Sequence, residues 1–231
     1  MNISRISAIF EKDLKDFMKN MMLFFMPILP ILLAAMYSRI GGEEEMPLAM
    51  IYVVIGTALA GVTYTCLAFM MAEEKEKNTL RGLVISPATM LDVIIGKSLV
   101  VILLTLVSVI VSLWLIGFEQ FTNFQAIAGL IVALLFFTLL GAGVGMIVKS
   151  VASTQIYLMP VLFLFGMTPM VDFLGLSKES IVLKSLNMFP LLQLMKMNET
   201  GSWKHFGVVT LWLIGSVIFA AICFIKNQKD D

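Results

Sequence analysis

Few side chains in this 231-residue chain belong to the types that make and break bonds, and their spacing excludes most of that chemistry. Glu73 and Glu74 form an adjacent acidic pair of the kind an intramembrane protease uses, but such a site also needs histidines, and the chain has only His205. Neither a Gly-x-Ser-x-Gly turn nor a pair of aspartates placed for catalysis occurs. Gly96-Lys97-Ser98 looks like the tail of a phosphate-binding loop, yet Leu91 stands where the first glycine of that loop belongs. Without the glycine-rich turn, no cradle of backbone donors faces a phosphate. The two cysteines, Cys66 and Cys223, are too few and too far apart in sequence for a metal cluster or a disulfide framework. No catalytic residue and no metal ligand is therefore assigned, and the chain is not expected to be an enzyme by itself.

The surroundings of these residues explain why. Hydrophobic residues make up 59% of the chain and charged ones 14%, with a mean hydropathy of +0.96, which is far too apolar for one soluble core. Six uncharged stretches, 21–38, 48–72, 98–118, 126–148, 151–171 and 206–225, contain none of the 16 basic and 16 acidic residues. A helix rises ~1.5 Å per residue against a hydrocarbon layer of ~30 Å, so each stretch is about long enough to cross. The expected fold is an all-α membrane protein with six transmembrane helices in a single domain, residues 1–231. Proton coupling through an intramembrane carboxylate is not expected of such spans, which leaves sodium held by backbone carbonyls near Pro160 as the form a secondary transporter would take. The balanced charge offers no polybasic surface, and nucleic acid is not an expected partner.

Basic residues are retained on the cytoplasmic side of a membrane. With an even number of spans, the face carrying both termini holds Arg5, Lys12, Lys15, Lys19, Lys75, Lys77, Arg81, Lys97, Lys149, Lys226 and Lys229, eleven in all. The other face holds five: Arg39, Lys178, Lys184, Lys196 and Lys204. Both termini are expected in the cytoplasm. Glu43, Glu44 and Glu45 read as a solvated outer loop. Ahead of the first span, Ile3, Ile6, Phe10, Leu14, Phe17 and Met21 recur at helical spacing, with Arg5, Lys12, Lys15 and Lys19 on other faces. Residues 1–20 thus read as an amphipathic elbow lying in the headgroup layer. A cleaved signal peptide is the rival reading, but its charged preface would be too long and too mixed in sign.

Pro27 and Pro30 lie in the first span, Pro160 and Pro169 in the fifth, and each should kink its helix, as plain bending or as a hinge or cavity wall. In the fourth span Gly141 and Gly145, with Gly143 between them, allow close packing, either within the chain or between subunits. The outer segment 172–205 is interleaved with leucines and methionines and broken at Pro190, so it should lie on or dip into the outer leaflet. Trp203 suits the interfacial aromatic belt, and His205 beside it suits a headgroup contact. The 18 methionines fit either gap-filling between helices or an apolar cargo of variable shape.

The most informative stretch joins the second and third spans: Glu73-Glu74-Lys75-Glu76-Lys77-Asn78-Thr79-Leu80-Arg81-Gly82-Leu83, then Ser86-Pro87, Asp92 and Gly96-Lys97. Its start reads as a short charged helix with Glu73 and Lys77 paired one turn apart, and Ser86-Pro87 marks a new helix start from which Asp92 and Lys97 would reach headgroups. Residues 74–97 resemble, nearly continuously, the segment of the type-2 ABC transporter permeases with the pattern Glu-Lys-x-Thr-Leu, Ser-Pro and Gly-Lys. Asn78 stands where those proteins carry glycine.

The resemblance implies the membrane subunit of a bacterial ABC exporter. Two six-span subunits, identical or paralogous, would form a pathway lined by parts of the first, second and fifth spans. Each would dock a separate ATPase subunit that holds the ATP and magnesium, in the plasma membrane, with no cofactor on this chain. The resemblance makes Glu73, Glu74, Lys75, Glu76, Lys77, Thr79, Leu80, Arg81 and Leu83 a coupling helix. Arg5, Phe10, Lys12, Leu14, Lys15, Phe17 and Lys19 would be the elbow beside it. Cargo would be amphipathic or lipophilic: a drug, a toxin-like peptide or a lipid-linked molecule. A secondary transporter, a channel or a passive membrane scaffold is the alternative.

Overall fold

A computed structural model describes residues 3–40, 46–77, 89–118, 121, 123–174 and 180–230. Every regular element among them is helical. Five helical stretches are long and apolar enough to cross a membrane: Met21–Ile40, Leu48–Glu76, Met90–Ile116, Phe124–Ile147 and Lys204–Asn227. A shorter apolar helix covers Val151–Gly166. The chain is a multi-pass membrane protein.

The first helix, α1 (Ile3–Lys19), is the expected amphipathic element, but its buried face is rotated from the expected stripe. Ile6, Ile9, Asp13 and Phe17 face inward, while Ile3 and Met21 are exposed. The Asn20 side chain then accepts hydrogen bonds from the Met22 and Leu23 amides and starts α2 (Met21–Phe25). Pro27 has no N–H for the Leu23 carbonyl, nor Pro30 for that of Met26, so Met26 and Leu29 donate to these carbonyls instead. A turn at Met26 and Pro27 consequently separates α2 from α3 (Ile28–Ile40).

The second stretch is the axis of the bundle, apolar on all sides and wholly buried across its hydrophobic window. It comprises α4 (Leu48–Thr57), a π-helical segment at Ala58–Tyr64 and α5 (Thr65–Glu76). The Thr65 hydroxyl donates to the Ala60 carbonyl, satisfying an acceptor inside the widened segment. Helix α6 (Met90–Ile116) begins earlier than the expected span. Thr89 accepts from the Asp92 amide and Asp92 from the Thr89 amide, a reciprocal cap. At 27 residues α6 is about 40 Å long, so its first turns project beyond the ~30 Å hydrocarbon layer.

Helix α7 (Phe124–Ile147) packs its glycine side on the axis. A Cβ at Gly141 would lie 2.7 Å from the Tyr64 carbonyl oxygen and one at Gly145 2.6 Å from Met71 Cβ, so the glycines serve packing within the chain. Gly143 meets Phe219 of α11 (Lys204–Asp230) in the same way. After α7 comes α8 (Val151–Val161), with Pro160 inside it, then a π-helical turn at Leu162–Gly166 and a 3₁₀ segment at Thr168–Leu174 containing Pro169. Gly166 passes so close to Gly56 that a side chain on Gly56 would strike its backbone.

The expected outer segment is two helices at different depths in the bundle. In α9 (Ile181–Leu186), Ile181 and Val182 are exposed. In α10 (Pro190–Thr200), Leu191, Leu192, Leu194 and Met197 are buried against the axis and α7. Gly201 ends α10 in a left-handed conformation at φ 60°. Asn123 Nδ2 donates to the Asn198 carbonyl at 2.6 Å, and Trp212 Nε1 to the Met188 carbonyl at 2.7 Å, closing this end of the bundle.

Candidate functional site

At the opposite end, α5 leaves the bundle carrying Glu73-Glu74-Lys75-Glu76-Lys77, and successive side chains diverge by about 100° around the helix. Each consequently meets a different neighbour. Glu74 turns inward, 6% exposed, and its Oε1 accepts from Lys97 Nζ at 2.8 Å and from Lys12 Nζ at 2.9 Å. Lys97 also donates to Asp13 Oδ2 at 3.0 Å and is 1% exposed. Among the described residues two cations and two carboxylates balance, which makes burial of an ammonium tolerable.

Gly96 is what brings α1 there: a Cβ on it would collide with Ile9 at 2.6 Å, so α1 crosses α6 at that point. Burial pushes the Asp13 carboxyl above its ordinary range, although the Lys97 charge and hydrogen bond pull it down. For Lys12 burial works to lower the value, but the hydrogen bond and charge of Glu74 outweigh it and hold the ammonium above its usual range.

Lys75 turns the other way and donates to the Met146 carbonyl at 2.9 Å and to Asn227 Oδ1 at 3.0 Å, joining α5 to α7 and α11. Glu76 Oε2 accepts from the Val151 amide at 2.7 Å, placing a carboxylate on the first turn of α8. Glu73 and Lys77 pair at 2.6 Å on the outer side. Within five residues, α5 holds α1, α6, α7, α8 and α11 together. A cleft of about 440 Å³ opens between α1 and α5, lined among others by Lys12, Asp16, Lys19, Glu73 and Lys77.

Expectation and structure differ at several residues. Asp92 and Lys97 do not reach outward; both are buried, at 0% and 1% exposure, because α1 covers the start of α6. Thr79, Leu80, Arg81 and Leu83 lie outside the described residues, as do Asn78, Gly82, Ser86, Pro87 and the Glu43–Glu45 run. Of the elbow residues, Phe17 is buried, Phe10, Leu14 and Arg5 are half-buried, and Lys12, Lys15 and Lys19 are exposed, with Lys15 paired to Glu11 at 2.7 Å. His205 does not face headgroups alone: its Nδ1–H donates to Gln193 Oε1 at 2.7 Å, because that oxygen has no proton to give.

Pro27 shapes an internal contact as well as a turn, since its carbonyl accepts from Ser108 Oγ at 2.7 Å. Sequence reasoning overlooked Asp13, although a carboxylate recurring with Ile6, Ile9 and Phe17 at spacings of three and four is a legible sign of a buried charge. It also overlooked the Thr63 and Thr105 hydroxyls, 2.8 Å apart; Thr105 donates to the Val101 carbonyl, so Thr63 is the donor between them.

Among the described residues, no three His, Cys, Asp or Glu side chains are grouped to hold a metal ion, and Cys66 and Cys223 are free thiols buried in the core. No protein-family model matches the chain, and no curated protein matches it either.

Proposed function

We propose that this chain is the membrane-spanning subunit of an ATP-driven exporter of the type-2 ABC class, powered by a separate ATPase. The observation that carries the reading is the buried Lys97–Glu74–Asp13 cluster, which locks an amphipathic helix and both flanks of residues 78–88 into one unit. Those residues form the heart of the segment whose sequence resembles a permease coupling helix. A docking element can drive a span as a rigid body only if its base is firm, and three ionic contacts among α1, α5 and α6 supply such a base. Glu74 and Lys75 would anchor the segment from inside, leaving Glu73, Lys77, Leu80, Arg81 and Leu83 to meet the ATPase.

The same arrangement favours six crossings. Lys75 joins Asn227, near one end of the chain, to the end of α5, beside which α1 also lies. On this reading both ends of the chain would share one face, and the crossings would be even in number. Residues 151–174 would be the sixth, irregular crossing, with both termini in the cytoplasm of a bacterial cell and α1 as an interfacial elbow. Two copies, or one copy and a paralogue, would enclose the path of an amphipathic or lipophilic cargo.

Affinity purification in mild detergent from the native membrane, followed by mass spectrometry, tests the reading. An ABC-type ATPase recovered near one per chain is expected, and its recovery should fall in a Leu80→Asp, Arg81→Glu variant that still inserts and folds. Reproducible absence of any ATPase from a folded, expressed chain would overturn the proposal and favour a secondary transporter or a passive membrane protein.

A further inference from the structure

A second cleft, of about 490 Å³, lies at the same end of the bundle between α5, α7 and α11, on the far side of α5 from the ionic cluster. Among the described residues its charged lining is basic: Lys75, Lys149 and Lys226. Of the two acids adjacent to Lys75, Glu74 Oε1 accepts from Lys97 and Lys12, and Glu76 Oε2 accepts from the Val151 amide. Asn227 is 7% exposed and lines the same cleft, where its Oδ1 accepts from Lys75. Lys75 is held in place by the Met146 carbonyl, so one ammonium is fixed while Lys149 and Lys226, both exposed, stand at the mouth. The remaining walls are Met146, Ile147 and Cys223, and the neighbouring surface of α11 exposes Ile222 and Ile225 at 60% and 55%.

Among the described residues, three lysines and Asn227 line this cleft and no carboxylate does, which calls for an anion with several oxygens. The apolar wall and the bare aliphatic strip of α11 call for hydrocarbon joined to it. Basic clefts between transmembrane helices at the membrane surface recognise phospholipid headgroups on these grounds. We propose that this cleft binds the phosphate of an anionic phospholipid, with its acyl chains along α11 beside Ile222 and Ile225. A bound phosphodiester would bridge α5, α7 and α11 at the point where Lys75 already joins them. The inference rests on the cleft and on the membrane location of the chain, and stands whether or not an ATPase is recovered.

The test uses the full chain in nanodiscs of phosphatidylcholine alone or with phosphatidylglycerol, read by thermal unfolding and by native mass spectrometry of lipids retained after release into detergent. The wild type should retain phosphatidylglycerol and melt at a higher temperature with it. A Lys149→Gln, Lys226→Gln variant, which spares the structural Lys75, should retain it about tenfold less well while melting like the wild type in phosphatidylcholine. Inorganic phosphate on the phosphatidylcholine sample separates the two sources of the anion. Protection by phosphate equal to that by phosphatidylglycerol would overturn the lipid assignment, and so would equal retention of phosphatidylglycerol by variant and wild type.

Discussion

Lys97 Nζ lies 2.8 Å from Glu74 Oε1, a contact between residues 23 positions apart that closes the stretch joining α5 to α6 at its base. Neither residue has solvent to fall back on, since their side chains are 2% and 8% exposed. Lys97→Met would leave Glu74 and Asp13 facing each other, with the half-exposed Lys12 as the cation beside them among the described residues. Breaking a buried pair from one side costs about 3–5 kcal/mol, and a loss of that order is expected in thermal or denaturant unfolding in detergent. Adding Asp13→Asn and Glu74→Gln to Lys97→Met removes the buried charges together and should recover much of the loss. A single variant as stable as the wild type would show that the cluster contributes nothing.

Asp13 should behave differently from Lys97. Because its carboxyl is raised by burial above the ordinary value of 3.8, the folded chain holds its proton more tightly than the unfolded chain does. Its contribution is therefore largest at low pH and is lost as pH rises from 3.8 through the raised folded value. Asp13→Asn fixes the neutral state and keeps an oxygen for Lys97, so the variant should lack this component of the pH dependence. Melting curves of both proteins across the acid range check the sign. A variant that melts well below the wild type at neutral pH would mean that the Lys97 charge outweighs burial.

Much of the bundle was legible because hydrophobic runs and the helix period act locally. The stretches at 48–72 and 206–225 fall within helices, 126–148 does so but for its last residue, 21–38 does so apart from the turn at Met26 and Pro27, and the charged flank of α5 reads directly from its composition. What was missed depends on partners distant in sequence. Lys97 looks like a membrane-surface lysine until α1 is seen crossing at Gly96, whereas Asp13 is the exception, since its stripe with Ile6, Ile9 and Phe17 is local and readable. His205 has no local sign of Gln193. The π-helical segment at Ala58–Tyr64 is equally hidden, because widening one turn leaves the apolar pattern of a fully buried helix unchanged.

The break between α2 and α3 offers a narrower test. Ser108 Oγ donates to the Pro27 carbonyl at 2.7 Å, fixing the turn against α6 in a setting where few other polar partners exist. Ser108→Ala should cost about 0.5–1.5 kcal/mol, the net worth of one hydrogen bond. Pro27→Ala restores an amide to the Leu23 carbonyl and should straighten the turn, altering the accessibility of a cysteine placed at the exposed Phe25. Unchanged labelling of that cysteine would show that Pro30 alone sets the bend.

Gly141 is the sharpest probe of how closely α7 approaches the axis. A methyl group there would lie 2.7 Å from the Tyr64 carbonyl oxygen and 3.0 Å from Tyr64 Cα, both backbone atoms that have no rotamer to escape into. Gly141→Ala must therefore push α7 away from the π-helical segment, and overpacking of this kind costs about 1–3 kcal/mol. A methyl group at Gly215 of α11 would meet no atom of the described residues within 4 Å beyond its own helix, so Gly215→Ala adds helix propensity without a clash and should be neutral or slightly stabilising. Comparing the two variants separates steric packing from any general effect of replacing glycine in a membrane helix. Equal melting temperatures would place α7 farther from Tyr64 than described, whereas a selective loss at Gly141 would make the glycine side of α7 a close-packed seam within a single chain.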